Sequence, residues 1–139
     1  MKYVLDTHVL VGAMRSPTGA SAEILRRVLS GRLQVLCSVP LFLEYGAVLS
    51  RPEQLEAAGL ALKDVVNLLD VLAGMVQPVD IAYLWRPQLR DMADDMVLEA
   101  AVNGQAKAIV TFNLRDFLPQ TLNFGIAVIN PAQFFKGAK

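Results

Sequence analysis

Cysteine and histidine each occur once in these 139 residues, and tryptophan once as well. One thiol, Cys37, cannot close an internal disulfide, and its place in the apolar run 33–39 marks it as a buried strand thiol. One imidazole, His8, with no cysteine cluster beside it, supplies no zinc-type ligand set. Net charge is missing too: 13 basic and 13 acidic residues cancel. The whole-molecule field therefore gives no argument for nucleic acid, and any such binding must come from local arginines or from bound metal. No apolar run approaches the roughly 18–20 residues that a membrane span requires. The chain also reaches a charge too soon, at Lys2 and Asp6, for a secretory signal. The expectation is a cytoplasmic protein with no membrane partner. With no repeat, linker or low-complexity tract, residues 1–139 read as one domain, long enough to bury a core.

Apolar residues are abundant, at 54%, and the mean hydropathy is +0.41. That exceeds a typical soluble domain, and the surplus points to a partner surface or a homodimer.

Residues 3–5 form a short apolar run ending at Asp6-Thr7-His8, after which residues 9–14 resume an apolar pattern. This predicts a strand, a turn and a short helix, with Asp6 at the strand's carboxyl end. Residues 20–30 carry Ile24, Leu25, Val28 and Leu29 at helical spacing and stop at Gly31. Residues 33–37 read as a second strand, and Ser38 before Val39-Pro40 starts a helix whose one internal charge is Glu44. Over residues 60–76, Leu62, Val65, Val66, Leu69, Leu72 and Val76 share one face of an amphipathic helix. Residues 78–85 are ambiguous between strand and loop. Residues 108–112 predict a strand, 113–119 a polar turn and 126–129 a last strand. Strands alternating with helices indicate an α/β chain with a parallel sheet covered on both faces.

The acid is concentrated in residues 90–101, where Asp91, Asp94, Asp95 and Glu99 fall within nine positions of an otherwise apolar sequence. If a helix starts here, Asp91 is its N-cap and Asp94 stands at the third helical position, an acidic variant of the capping box. Asp95 shares a face with Asp91 and Glu99. Since the remaining circumference is apolar, Asp95 points into a crevice at the core's edge, where it needs a cation or another partner. Glu99, on the same face, has a solvated, arginine-paired or active-site role open to it.

In an open parallel sheet, ligands bind outside the carboxyl ends of the strands. Asp6, Asn113 and Asp116 follow strands, and Asp95 and Glu44 sit early in neighbouring helices, so acids distant in sequence can meet at one rim. Their repulsion requires cations. An oxygen-only donor set favours Mg²⁺ or Mn²⁺, and the chemistry this implies is phosphodiester hydrolysis by activated water.

Taken together, Leu5-Asp6-Thr7-His8-Val9-Leu10, Glu44 in its apolar helix, Arg90-Asp91 with Asp94-Asp95, and Ile109-Val110-Thr111-Phe112-Asn113-Leu114-Arg115-Asp116-Phe117 resemble a PIN domain. The resemblance runs from about residue 2 to residue 135. It is nearest to the bacterial and archaeal branch of toxins from toxin and antitoxin pairs, similar to VapC. It implies a three-layer α/β/α fold around a mostly parallel sheet of four or five strands. It also implies a Mg²⁺- or Mn²⁺-dependent endoribonuclease for single-stranded RNA, usually held inactive by a cognate antitoxin. By the same resemblance Asp6, Glu44 and Asp95 are the first three catalytic, metal-binding acids. At the fourth position Asn113 stands where many relatives have an acid, and Asp116 follows three residues later; both are implied metal ligands, and Asp116 is also catalytic. The asparagine lowers the site's charge by one, which bears on whether a second metal binds. By the same resemblance Thr111 hydrogen-bonds an acidic ligand, and it is equally readable as a β-branched strand residue. From their places beside the acids, His8 could contact phosphate or tune Asp6, or be a hydrogen-bonded structural residue, and Arg90 and Arg115 could hold substrate phosphate or be ordinary surface charges. His8 departs from the Asn that usually follows the Asp-Thr pair, and Met92 from a helix-start proline. Trp85 and Tyr83 could stack an unpaired base, or serve packing or a dimer contact. Two other readings stand beside this one. One is a catalytically weakened PIN module that binds RNA or scaffolds. The other is a phosphatase with Asp6 as nucleophile, which usually wants a second acid where this chain has His8.

Overall fold

The computed structural model describes residues 1–82, 89, 91–118 and 120–137, apart from the side chains of Leu122, Asn123 and Gly137. The readings at Tyr83, Trp85 and Arg90 lie outside the described residues. In chain order the elements are β1 (Lys2–Leu5), α1 (Thr7–Arg15), α2 (Ala20–Leu29), β2 (Gln34–Cys37), α3 (Val39–Leu49), α4 (Pro52–Ala58), α5 (Leu62–Met75) and β3 (Gln77–Pro78), then α6 (Met92–Gly104), β4 (Ala108–Val110), α7 (Leu114–Phe117), a 3₁₀ helix (Gln120–Phe124), β5 (Ala127–Ile129) and α8 (Pro131–Gly137). The five strands are all parallel, in the order β3-β2-β1-β4-β5. Helices flank this central sheet in a three-layer α/β/α arrangement.

Parallel strands covered on both faces are apolar where they are buried, and the inner residues of β1, β2 and β4 follow this. Val4, Leu5, Val35, Leu36, Ile109 and Val110 are all buried in the centre of the core. The chain builds outward from β1 through β2 to β3, then crosses back to lay β4 on the other side of β1. The reversal leaves a crevice at the carboxyl ends of β1 and β4, where such sheets bind ligands. Tyr3 pairs with Ala108, Val4 with Ile109 and Leu5 with Val110. The residues that follow, Asp6 and Thr111, therefore emerge side by side at that crevice.

Local sequence explains most helix boundaries. Asp6 is extended (φ −65°, ψ 146°) and caps α1 directly, so there is no turn between strand and helix. Ser38 opens α3 by accepting from the Leu41 amide at 3.3 Å, with Pro40 in the first turn. Asp91 caps α6 by accepting from the Ala93 amide at 2.9 Å. The chain leaves α6 through Gln105 at φ 57°, and Gly104 is used otherwise. A Cβ on Gly104 would sit 2.7 Å from Leu36 Cδ1 and 2.9 Å from Val79 Cγ2, so glycine lets α6 lie close on β2.

Residues 51–59 hold a separate helix, α4, with Pro52 at its start and left-handed Gly59 (φ 69°) at its end. Two sequence expectations need correction. The segment read as the polar turn 113–119 contains the one-turn α7, held by Phe117 in the core. On α5, only Val65 and Leu72 are buried, whereas Leu62, Val66, Val71 and Met75 are exposed. Its apolar face is wider than the surface covering it. Among the described residues, no helix is long and apolar enough to cross a membrane.

Candidate active site

Asp6 is a buried carboxylate, 3% exposed at the end of β1. Its backbone remains in the sheet, donating to the Val110 carbonyl at 2.9 Å. Thr111, at the end of β4 and fully buried, donates its hydroxyl to Asp6 Oδ2 at 2.7 Å and accepts from the Asn113 amide at 3.0 Å. One hydroxyl thus ties the first acid to the loop that carries Asn113 and Asp116. The next support comes from α3: the Tyr45 hydroxyl, buried, donates to the carbonyl of Leu5, immediately before Asp6. Tyr45 adjoins half-buried Glu44.

Burial raises the Asp6 pKa above its ordinary value, against the opposing pull of the Thr111 hydroxyl, the His8 charge and the first amides of α1. His8 itself is exposed, so it acts on Asp6 from the open side. The stronger perturbation falls on Asp94. Its pKa is pushed up to about 7, first by desolvation and then by the charges of Asp6, Asp91, Asp116 and Asp95. A carboxyl that feels four others marks the place where acids from β1, α6 and α7 converge.

This corrects the capping-box reading of Asp94. Asp91 alone caps α6, and Asp94 has no hydrogen-bond or ion-pair partner among the described residues. Asp95, one residue on and 3% exposed, turns to the loop before the helix and accepts from the Leu89 amide at 3.0 Å. Glu99, read as solvated, arginine-paired or active-site, is buried on the same side of α6. Glu44 is not among the charges acting on Asp94. Asn113 and Asp116 are exposed on the loop and first turn after β4, beside Arg115, which is also exposed. Cys37 is a buried strand thiol, and burial pushes its pKa up to about 12.

The donors are hard oxygens, matched to Mg²⁺ or Mn²⁺ rather than zinc. The mutual repulsion recorded at Asp94 is what a divalent cation would relieve. Among the described residues, no three His, Cys, Asp or Glu side chains converge closely enough to share a metal ion. The acids are gathered at one mouth without forming a closed cage.

Residues 2–115, most of the chain, match the family described as PIN domain. The chain belongs to the PIN-domain family. PIN domains are generally nucleases and typically depend on divalent metal. No curated protein sequence matches this PIN domain significantly. Among solved structures it is similar to the crystal structure of VapBC2 from Rickettsia felis bound to a DNA fragment from their promoter, with a TM-score of 0.61 and 15% identity over 94% of this chain and 98% of that chain. At that identity the likeness shows a shared fold. Two features of the site escaped sequence reasoning. The phenol of Tyr45 gives no pattern signal, being one more apolar position of α3. Asp94 gave a signal, its place beside Asp95 at the helix start, that reads as a cap.

Proposed function

We propose that this PIN domain is a metal-dependent endoribonuclease acting on single-stranded RNA, the toxin of a toxin and antitoxin pair. The observation that carries the reading is geometric: Asp6 and Thr111 leave adjoining strand ends at the crevice where the strand order reverses, joined by the Thr111 hydroxyl on Asp6 Oδ2 at 2.7 Å, and Asp91, Asp95 and Asp116 join Asp6 in acting on Asp94 there. A cation would draw Asp6, Asp94 and Asp116 in toward it, with Glu44 and the Asn113 amide oxygen completing the donor set. Asp95 would set the position of Asp94 by fastening the loop at Leu89. When bound, Mg²⁺ or Mn²⁺ supplies Lewis acidity for attack of water on phosphorus and offsets charge on the leaving oxygen. The residues of the chain do the rest. Thr111 keeps Asp6 aimed and opposes the rise that burial imposes on its pKa, Tyr45 locks the strand end beneath it, and Arg115 with Arg90 would draw the RNA backbone toward an otherwise acidic mouth.

The exposed apolar side chains of α5, with Val39 and Leu43 of α3, support a homodimer contact or a cognate antitoxin segment. A single domain over residues 1–139, working in the cytoplasm, completes the proposal. The fold shared with VapBC2 from Rickettsia felis supports the toxin assignment.

Cleavage of labelled single-stranded RNA with Mn²⁺, Mg²⁺ or EDTA tests the reading, comparing the wild type with Asp6→Asn. Cleavage should need the cation and vanish in the variant. If the wild type cuts nothing and no heat accompanies Mn²⁺ titration, the alternative of a silent RNA-binding module takes its place.

Thr111→Val tests the support of Asp6. The substitution keeps the buried shape but removes both hydrogen bonds, so activity should fall about 10- to 100-fold, as when a ligand's hydrogen-bond partner is lost. Without the hydroxyl that lowers its pKa, Asp6 should ionise at still higher pH, and the acid limb of the pH–rate profile should move up. An unmoved limb would mean the hydroxyl serves packing alone.

A further inference from the structure

A cleft of about 420 Å³ is lined by Gly12, Ser16, Gly19, Ser21, Phe112 and Asn130 among others. Phe112 forms one wall. Its backbone follows Thr111, which holds Asp6, and its ring is 51% exposed, an unusual state for a phenylalanine within the signature of a site. Gly12 lies one turn along α1 from His8, on the same face, and six residues beyond Asp6, a rise of about 9 Å. The face of α1 thus leads from the carboxylates to the cleft.

The cleft is shaped by absent side chains. A Cβ on Gly12 would approach the Phe112 ring (Cε2) to 3.3 Å and Ser21 Oγ to 3.3 Å, so any other residue would intrude on the cradle. The polar groups there are donors without work. Ser21 is 5% exposed, and its hydroxyl, which lines the cleft, has no hydrogen-bond partner among the described residues. It is open to the cleft, where water or a ligand can pair with it. Gly19 begins α2 without a side-chain cap, leaving the amides of the first turn open. The Asn130 carbonyl oxygen is taken by the Gln133 amide at 2.7 Å, which leaves its NH₂ group available. No lysine or arginine lines the cleft, which argues against phosphate as the main occupant. A flat ring wall, apolar sides and a few hydrogen-bond donors suit a neutral nucleobase.

We propose that this cleft receives one base of the RNA strand next to the cleaved linkage, stacked on Phe112 and read through its acceptor atoms by Ser21 and the start of α2. The inference deepens the nuclease reading and rests on it for the identity of the strand. A donor-rich edge favours uracil, with two carbonyl oxygens, or guanine, with O6 beside N7, over cytosine, which keeps O2 and N3 but has an amino group where uracil has its second carbonyl.

Two measurements test it. In the first, a randomised single-stranded RNA pool is cut with Mn²⁺ and the ends are sequenced. Wild type should show a base preference at one position beside the cut. Phe112→Ala should erase that preference and lower kcat/KM on the preferred RNA roughly 10-fold, chiefly through KM, since stacking on one aromatic ring is sequence-tolerant binding energy. Gly12→Val, which fills the cradle, should do the same. Phe112 is half-exposed, so its alanine variant stays interpretable even where Gly12→Val fails to fold. An unchanged preference and KM in Phe112→Ala overturn the proposal. In the second, free guanosine, uridine and cytidine are titrated into metal-free protein in EDTA and followed by amide NMR. Shifts at Gly12, Ser21 and Ala132, larger for guanosine or uridine and lost in Phe112→Ala, support the pocket even if no RNA is cut. Shifts confined to other residues, or none, overturn it even if RNA is cut normally.

Discussion

Asp94→Asn should lower metal-dependent RNA cleavage by roughly 100-fold or more, a loss equal to several kcal/mol of transition-state stabilisation, whereas Asp95→Asn should stay within about 10-fold of wild type. The two acids are neighbours in sequence with different surroundings. Asp94 is half-buried, and desolvation first, then the charges of Asp6, Asp91, Asp116 and Asp95, raise its pKa to about 7. That repulsion is what the cation of the proposed function would relieve. Asp95 is buried and accepts from the Leu89 amide at 3.0 Å. Asparagine there retains an acceptor for that amide, so the loop can stay in place. Asp95→Ala retains none. It orphans a buried N–H and should cost about 1–3 kcal/mol of stability, seen as a lower melting temperature, with activity falling only as the loop loosens. Measuring cleavage and thermal melting on all three variants separates ligand from positioning residue. If Asp95→Asn is as dead as Asp6→Asn while Asp94→Asn remains active, the third acid is Asp95, as the family resemblance implies.

Why that assignment could not be made from the sequence follows from helix geometry. Successive residues on a helix point about 100° apart, and an apolar pattern fixes the helix phase only to within about one residue. Around Asp94-Asp95 both positions border the buried arc of Val97, Leu98, Ala100 and Ala101, so either could face the sheet's mouth. The legible parts were those set by one dominant constraint. The runs of β1 and β4 had to be strands because they are short, apolar and bounded by polar residues, and a parallel sheet brings their ends together. Asp6 and Thr111 at adjoining strand ends follow directly, as does the Asp91 cap. The face of α5 was legible as apolar but not as uncovered, since periodicity shows which residues could be buried and not what buries them. Likewise the positive φ at the end of α6 falls on Gln105. Gly104 is required by the approach of Leu36 and Val79, contacts with distant parts of the chain that no local rule contains.

Metal-free protein should melt at a higher temperature at pH 5 than at pH 8, and Mn²⁺ should reverse the order. In the folded chain Asp94 titrates near 7, against 3.8 for the unperturbed group. Between those values the folded state binds more protons than the unfolded one, so stability falls as pH rises through that window. Asp6, whose pKa burial also raises, contributes with the same sign. Cys37, pushed up to about 12, stays neutral throughout and adds nothing. Asp94 is only half-buried, and solvent screens part of the repulsion, so the direction of the slope is the prediction. A divalent cation binds the ionised acids and competes with the protons. At 100 times its dissociation constant it should add about 2.7 kcal/mol at pH 8, worth roughly 8–10 °C in a domain of this size, and much less at pH 5. Asp94→Asn should flatten the metal-free slope, raise the melting temperature at pH 8 in EDTA and shrink the Mn²⁺ effect. Repeating the series on His8→Gln removes the only imidazole, and the slope that remains belongs to the carboxylates. Equal stabilisation by Mn²⁺ at both pH values would mean that the cation binds somewhere other than these acids. A metal-free melting temperature that climbs from pH 5 to pH 8 would mean that the acids at the crevice do not repel one another as their arrangement requires.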